Sequence, residues 1–364
     1  MIPLSPRHQA LIDALETRVL CMDGAMGTML QEARLTAADF GGAALEGCNE
    51  NLVRTRPDVL LGIHRAYLQA GADIIETDTF GSTSIVLAEY GLADRAREIS
   101  RRAAELARQA ADELATSAKP RWVAGSMGPT TKAISVTGGV TFDALREAYY
   151  EQAAGLVEGG ADILVLETCQ DTRNVKAGLL AINRLRRDLG TDVPAMVSCT
   201  IEPTGTMLAG QTADAFYVSI AHAGLLSIGL NCATGPEFMT DHIRTLNEIA
   251  ATRISCYPNA GLPDAEGQYA ETPHSLAREL ERFVDHGWLN IVGGCCGTTP
   301  AHIAALAQMV QGKKPRHHPP STIHHRPSFY SGVELVEAEE SNRPLLVGER
   351  TNVIGSRLFK NLIA

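Results

Sequence analysis

Val292-Gly293-Gly294-Cys295-Cys296-Gly297-Thr298-Thr299-Pro300 sets two adjacent thiols directly after a short apolar run, Leu289 to Val292, that reads as a strand. Side chains alternate along a strand, so neighbouring thiols reach one point only from irregular backbone, which the glycines supply. Thr299-Pro300 then opens a helix, with Thr as N-cap and Pro at the first helical position. A third thiol, Cys232, closes the run Leu225 to Asn231. Three thiolates on zinc leave one tetrahedral position open for a ligand. Such a centre carries a net charge near minus one and is a poor Lewis acid for activating water. It suits a ligand that is itself a thiol, which it deprotonates near neutral pH and keeps nucleophilic. The pattern argues for alkyl transfer to sulfur over hydrolysis, with structural burial of the thiols as the competing reading. Cys21, Cys169, Cys199 and Cys256 lie in or beside apolar runs and read as small buried hydrophobes.

Two carboxylates stand at comparable positions. Asp23 precedes Gly24 after the first apolar run, and Glu167 ends the fourth. Both suit pairing with an ammonium group, although strand-end carboxylates also cap loop amides. The turn Gly24 to Thr28 offers backbone N–H groups for a carboxylate. Thr79 and Ser126, near the ends of two further runs, are placed beside them as substrate contacts. Together these residues describe a pocket for an amino acid that bears a thiol.

The elements that must position them repeat along the chain as a helix, a short apolar run, and a cluster of small and polar residues. The runs are Val19–Met22, Ala72–Thr77, Trp122–Met127, Asp162–Cys169, Ala195–Thr200, Leu225–Cys232, Arg253–Tyr257 and Leu289–Val292. Helices are expected from about Pro57 to Ala70, after Asp94 with a stripe at Ile99, Ala103, Leu106, Ala110 and Leu114, after Thr141, and after Thr272. Eight strand–helix units make a (β/α)8 TIM barrel the expected fold, with a doubly wound open sheet as the alternative. In a barrel the carboxyl ends of all strands converge on one face, which makes Cys232 and Cys295-Cys296 plausible neighbours. Gly71-Ala72-Asp73-Ile74-Ile75 and Gly160-Ala161-Asp162-Ile163-Leu164 echo each other. Each leads to a Glu-Thr, at Glu76 and Glu167, two residues out of step and so on the same strand face.

Of the 364 residues, 45% are hydrophobic and 20% charged, with a net charge of -10, which argues against a broad nucleic-acid surface. No run approaches the 18 or so apolar residues of a membrane helix, and Met1 to Arg18 lacks a signal core. A cytoplasmic protein is expected, with its eight cysteines reduced rather than paired. Residues 1–312 form the barrel in this reading. Residues 313–343 form a linker whose prolines, basic residues and four histidines (His317, His318, His324, His325) read as a solvated tether rather than a metal site. Residues 344–364 read as one more strand and turn.

Asp23-Gly24-Ala25-Met26-Gly27-Thr28, Glu76-Thr77-Asp78-Thr79-Phe80-Gly81, Gly229-Leu230-Asn231-Cys232 and Gly293-Gly294-Cys295-Cys296-Gly297 resemble the homocysteine S-methyltransferases. Within them the likeness is to the N-terminal homocysteine module of the cobalamin-dependent methionine synthases, over residues 10–312. The resemblance implies a zinc (β/α)8 barrel with Cys232, Cys295 and Cys296 as ligands and Asn259 as a displaceable fourth. It implies Asp23 and Glu167 as holders of the homocysteine amino group. It further implies a methyl group from methylcobalamin bound by a domain absent from this chain, with S-methylmethionine or a betaine as alternative donors and a non-catalytic zinc or thiol-binding barrel as the alternative class. Val347-Gly348-Glu349-Arg350-Thr351-Asn352 resembles the start of the pterin-binding domain, with Asn352 as a folate contact. Partner cobalamin- and folate-binding domains of a longer enzyme are expected.

Overall fold

The eight apolar runs form eight parallel strands in the computed structural model, which describes residues 5–264, 266–317, 328–344 and 357–363. They are β1 (Leu20–Cys21), β2 (Ile74–Glu76), β3 (Trp122–Met127), β4 (Ile163–Cys169), β5 (Ala195–Cys199), β6 (Ser227–Asn231), β7 (Arg253–Tyr257) and β8 (Ile291–Val292). From β2 to β8 each strand pairs with its neighbour in sequence, and β1 pairs with β8. The ring closes between β1 and β2 through a Met22–Ile74 bridge, with Asp73 N–H on Cys21 O at 2.7 Å and Asp23 N–H on Ile74 O at 3.0 Å. An open doubly wound sheet has no such closure, so the barrel reading holds.

Alternation along the strands divides the apolar side chains into two sets. Leu20, Met22, Ile74, Trp122, Ile163, Val165, Met196, Tyr257 and Ile291 fill the interior. The complementary positions, such as Cys21, Val123, Leu164, Val197 and Ile254, pack outward against the helices. The floor of the barrel is plugged by the helix Pro6–Thr17, which Ser5 starts by accepting the His8 N–H at 3.2 Å. Its Leu11 and Leu15 are buried in the interior cluster. Burying each contributes roughly 1.5–3 kcal/mol.

At this amino end the echoed segments do the same job twice. The Asp73 carboxylate accepts the Cys21 N–H at 3.0 Å and a two-pronged Arg18 guanidinium at 2.8 and 3.0 Å. Asp162 accepts the Val123 N–H at 2.8 Å and Arg108 at 2.7 Å. Each side chain fixes the register of its own strand on the preceding one. Asn290 repeats the device with a neutral amide on the Ile254 N–H at 3.0 Å.

The expected helices form. Pro57–Ala70 has the bounds read from sequence, and Ala96–Leu114 buries Ile99, Ala103, Leu106 and Ala110. Thr141 caps Phe142–Glu158, and a Thr272–Ser275 capping box starts Pro273–Asp285.

The stretch after the barrel departs from a plain solvated tether. Arg316 is 4% exposed, and its guanidinium meets Asn247 Oδ1 at 2.7 Å and the carbonyls of Ala250 and Thr252 at 2.8 and 2.9 Å. Ala250 ends the helix Pro236–Ile249, where unsatisfied carbonyls attract a cation. A basic, proline-rich composition hides that anchor. Two antiparallel strands, β9 (Ser328–Ser331) and β10 (Leu335–Ala338), follow, and the turn between them accepts the Thr212 N–H on Val333 O at 3.0 Å. His318, His324, His325, Asn352 and the run from Val347 lie outside the described residues. Arg357–Ile363 is a helix.

Candidate metal and substrate site

The three thiols converge at the carboxyl end of the barrel by two irregular paths. After β6, Cys232 and Ala233 both take the left-handed conformation, at φ +58° each. Two consecutive non-glycine residues there cost of order 1–3 kcal/mol each and persist only where the surroundings enforce them. After β8, Cys295 N–H is held by Pro258 O at 2.8 Å, and Cys296 O accepts the Ala260 N–H at 2.9 Å. The Sγ atoms of Cys232, Cys295 and Cys296 lie within 4.8 Å of one another, and Cys232 to Cys296 is 3.9 Å. Zinc–sulfur bonds of about 2.3 Å at tetrahedral angles separate sulfurs by roughly 3.8 Å, so the set fits the metal. No other cluster of three such ligands occurs among the described residues.

The thiols also share charge. Hydrogen bonds from Cys232 and then Cys295 pull Cys296 down to about 3. Cys295 pulls Cys232 down as well, but Cys296 and burial outweigh it and leave Cys232 at about 11. Together with burial, the mutual hydrogen bonds favour the thiolate at Cys296 and the thiol at Cys295 and Cys232. Nearby, Asn259 is 4% exposed and its Oδ1 has no partner among the described residues. A buried acceptor left unpaired costs about 1–3 kcal/mol, and a metal would satisfy it. Cys21, Cys169, Cys199 and Cys256 are buried away from the cluster, as is Cys48, and burial raises the proton affinity of all five.

The thiols line one end of a cavity of about 260 Å³ that also exposes Asp23, Glu50, Glu76, Asp78 and Glu167. Among the described residues, no lysine, arginine or histidine lines its wall. Asp23 Oδ2 accepts the Glu76 N–H at 3.0 Å, while its Oδ1 is buried without a partner. Glu167 accepts the Ser126 hydroxyl. Among the described residues Glu76 Oε1 and Asp78 Oδ2 have no partner either, and Glu50 Oε1 accepts the Gly81 N–H at 2.7 Å. Burial pushes all five carboxyls above their ordinary range, Glu167 to about 7. Five acids facing one space, with no basic side chain beside them among the described residues, suit a positively charged ligand that would favour their ionised form.

Thr298 ties the walls together. It is fully buried, and its Oγ1 donates to Cys295 O at 2.7 Å and accepts the Ala25 N–H at 3.2 Å. A Cβ on Gly24 or Gly294 would lie 2.6 or 2.4 Å from that oxygen, so both positions require glycine. The Ala25 amide is therefore already used, and Met26 starts the helix Met26–Glu32, which leaves less of the turn free than the sequence alone implies.

Of the residues singled out from sequence, Asp23, Gly24, Ser126, Glu167, Cys232, Cys295 and Cys296 line the cavity together. Thr79 stands behind the wall: it is fully buried, and its hydroxyl meets Thr77 Oγ1 and Ser126 O at 2.6 Å each. Asn259 lies outside the lining, beside the thiol loops. Sequence reasoning left out Glu50, Glu76 and Asp78 as site residues. Glu76 was signalled by its parity with Glu167, and Asp78 by its offset of two from Glu76. Glu50 sits in a single 3-10 turn, Asn49–Asn51, and carries no local signal.

The sequence model of the homocysteine S-methyltransferase family matches residues 20–310. The methionine synthase of Mycobacterium leprae (strain TN) is 45% identical over 97% of this chain and 30% of its own length. That of Mycobacterium tuberculosis (strain ATCC 25618 / H37Rv) is 44% identical over 96% of the chain and 29% of its own. The chain thus spans about 30% of the length of these relatives. Among solved structures, the metallated form of the homocysteine methyltransferase MmuM from Escherichia coli superposes with a TM-score of 0.68 at 24% identity, covering 83% of this chain and 99% of that one. That likeness concerns the fold. The match over residues 20–310 decides the classification: this chain belongs to the homocysteine S-methyltransferase family.

Proposed function

We propose that this chain is the homocysteine-binding module of a methionine synthase, which presents the homocysteine sulfur for methylation by methylcobalamin held on another domain. The observation that carries the reading is the convergence of three thiols and five carboxylates on one cavity, with no basic side chain in its wall among the described residues. Cys232, Cys295 and Cys296 would hold Zn2+, with Asn259 Oδ1 as the ligand that the substrate sulfur displaces. Zinc, when bound, lowers the pKa of a thiol ligand, so the substrate sulfur is a thiolate at neutral pH.

The chain's own residues do the rest. Asp23 Oδ1 and Glu167 accept the N–H groups of the substrate ammonium, and Ser126 orients Glu167 through its hydroxyl. Gly24 keeps the wall open beside Thr298. Burial excludes water and strengthens each charge pair. The identity to methionine synthases over nearly the whole chain, against 30% of their length, supports cobalamin- and folate-binding domains as its partners. Unpaired thiols favour a reducing, cytoplasmic setting.

The test is methionine formation from homocysteine with free methylcobalamin, S-methylmethionine or betaine offered separately. Slow turnover with methylcobalamin alone, lost in Cys295→Ala, is expected. Efficient turnover with S-methylmethionine or betaine overturns the donor assignment. Homocysteine binding with no proton released to buffer overturns the sulfur-first reading.

A further inference from the structure

Asn231 ends β6 one residue before Cys232 and is fully buried. Its amide uses both lone pairs and both hydrogens. Oδ1 accepts the Thr168 N–H at 2.9 Å and the Ser198 hydroxyl at 2.7 Å. Nδ2 donates to Thr168 Oγ1 at 2.8 Å and faces Cys295 Sγ at 3.9 Å. An asparagine so placed reaches two strands and the thiol loop at once.

Thr168 needs that support. It follows Glu167 directly and sits at φ +54°, a conformation that a β-branched residue adopts only under constraint. The strand pairing of β4 with β5 slips at the same point, between Leu166 and Cys169. This bulge re-aims the strand end, which is a common use of bulges beside active sites. Two of the four Asn231 contacts go to Thr168, so the amide holds the bend that follows Glu167. The contact to Cys295 reaches the thiol set from the same side chain.

We propose that Asn231 is a positioning residue that couples the two halves of the site, fixing the Thr168 bend that presents Glu167 to the cavity while setting an N–H against the Cys295 sulfur. The inference rests on the functional reading above and extends it, because one buried amide then makes metal affinity and ammonium affinity interdependent. Outer partners of metal ligands typically change metal affinity about 10–100-fold when removed.

The experiment compares the full chain with Asn231→Ala, Thr168→Ala and Ser198→Ala. Zinc affinity is measured by competition with a chromophoric chelator, the sulfur-to-metal charge-transfer band is read on the Co2+-substituted protein, and homocysteine affinity is measured at saturating zinc. Asn231→Ala should weaken zinc by about 10–100-fold, displace the Co2+ band, and weaken homocysteine by roughly tenfold. Thr168→Ala keeps the Cys295 contact and should weaken homocysteine more than zinc. Ser198→Ala removes one donor to Asn231 Oδ1 but keeps its Thr168 and Cys295 contacts, and should leave the Co2+ band in place. If Asn231→Ala folds and keeps both affinities, the inference fails alone. If that variant does not fold, unchanged homocysteine binding in Thr168→Ala defeats the coupling. Equal losses in all three variants, tracking stability, reduce Asn231 to a structural residue. A parent chain that binds no zinc defeats the functional reading, and the thiol half of this one with it.

Discussion

Replacing Glu167 by Gln should make the metal-free protein more stable at alkaline pH while it damages substrate binding. Glu167 is 5% exposed, and burial raises its carboxyl from an ordinary value of 4.5 to about 7. Between those two values the unfolded chain has released the proton and the folded chain retains it. Folding stability therefore falls as pH rises through this window, and the loss is complete above about 7. Each tenfold change in proton affinity is worth about 1.4 kcal/mol, so the whole window amounts to roughly 3 kcal/mol. Glutamine keeps an oxygen for the Ser126 hydroxyl and carries no charge.

The assay is urea unfolding of chelator-treated parent and variant at pH 4.5, 6 and 8.5. Near pH 4.5 the two should differ little. At pH 8.5 Glu167→Gln should be more stable by roughly 3 kcal/mol, and its pH profile should be flatter across the interval. The same variant should bind homocysteine tenfold or more weakly, since losing one partner of a buried charge pair costs about 2–5 kcal/mol. A variant no more stable than the parent at pH 8.5 would show that Glu167 has a compensating partner in the empty protein. The ammonium assignment would then lose its physical basis.

Cys232→Ala, Cys295→Ala and Cys296→Ala should each remove most of the bound zinc in elemental analysis, whereas Cys256→Ala, which only loses its contact with Met239 Sδ at 3.7 Å, should keep it. Asn259→Ala should weaken zinc in the absence of homocysteine and much less in its presence, as read by chelator competition; an equal loss in both states removes Asn259 from the ligand set. Leu11→Ala should destabilise the fold by about 2–5 kcal/mol in urea unfolding while zinc content is unchanged, because its plug lies at the opposite end of the barrel.

Much of the architecture was legible because strand, helix and turn signals agree locally. Arg253–Tyr257 and Pro57–Ala70 have the bounds that apolar runs and capping residues dictate. The thiol set was legible because adjacent cysteines between glycines make sense only off a regular strand. Three things were not legible, each for a spatial reason. Thr79 belongs to a motif that reaches the site, yet the bend Thr79 N–H to Thr77 O at 2.9 Å turns its hydroxyl behind the wall. Glu50 enters the cavity from a segment with no periodicity, seated by an amide thirty-one residues away at Gly81. Arg316 looked like part of a solvated basic run, but it meets carbonyls that exist only once the Pro236–Ile249 helix ends beside it.

The echoed segments show how the fold separates stability from function. Each carries an acid at both ends, Asp73 and Glu76 in one, Asp162 and Glu167 in the other. At the amino end both acids are paired, with Arg18 and Arg108, and hold backbone amides in register. At the carboxyl end, three to five residues further along the same strands, Glu76 Oε1 is unpaired and Glu167 has only a serine hydroxyl. The chain has 32 lysines and arginines, so a shortage of cations does not explain the difference. Burial disfavours the ionised form of the Glu76 and Glu167 carboxyls in the empty protein, and a cationic ligand would recover that cost on binding. A ligand that binds only the folded state stabilises it by RT ln(1 + [L]/Kd), about 2.7 kcal/mol at a hundredfold excess over Kd. That is the same order as the penalty at Glu167, so substrate binding and folding stability draw on one uncompensated charge.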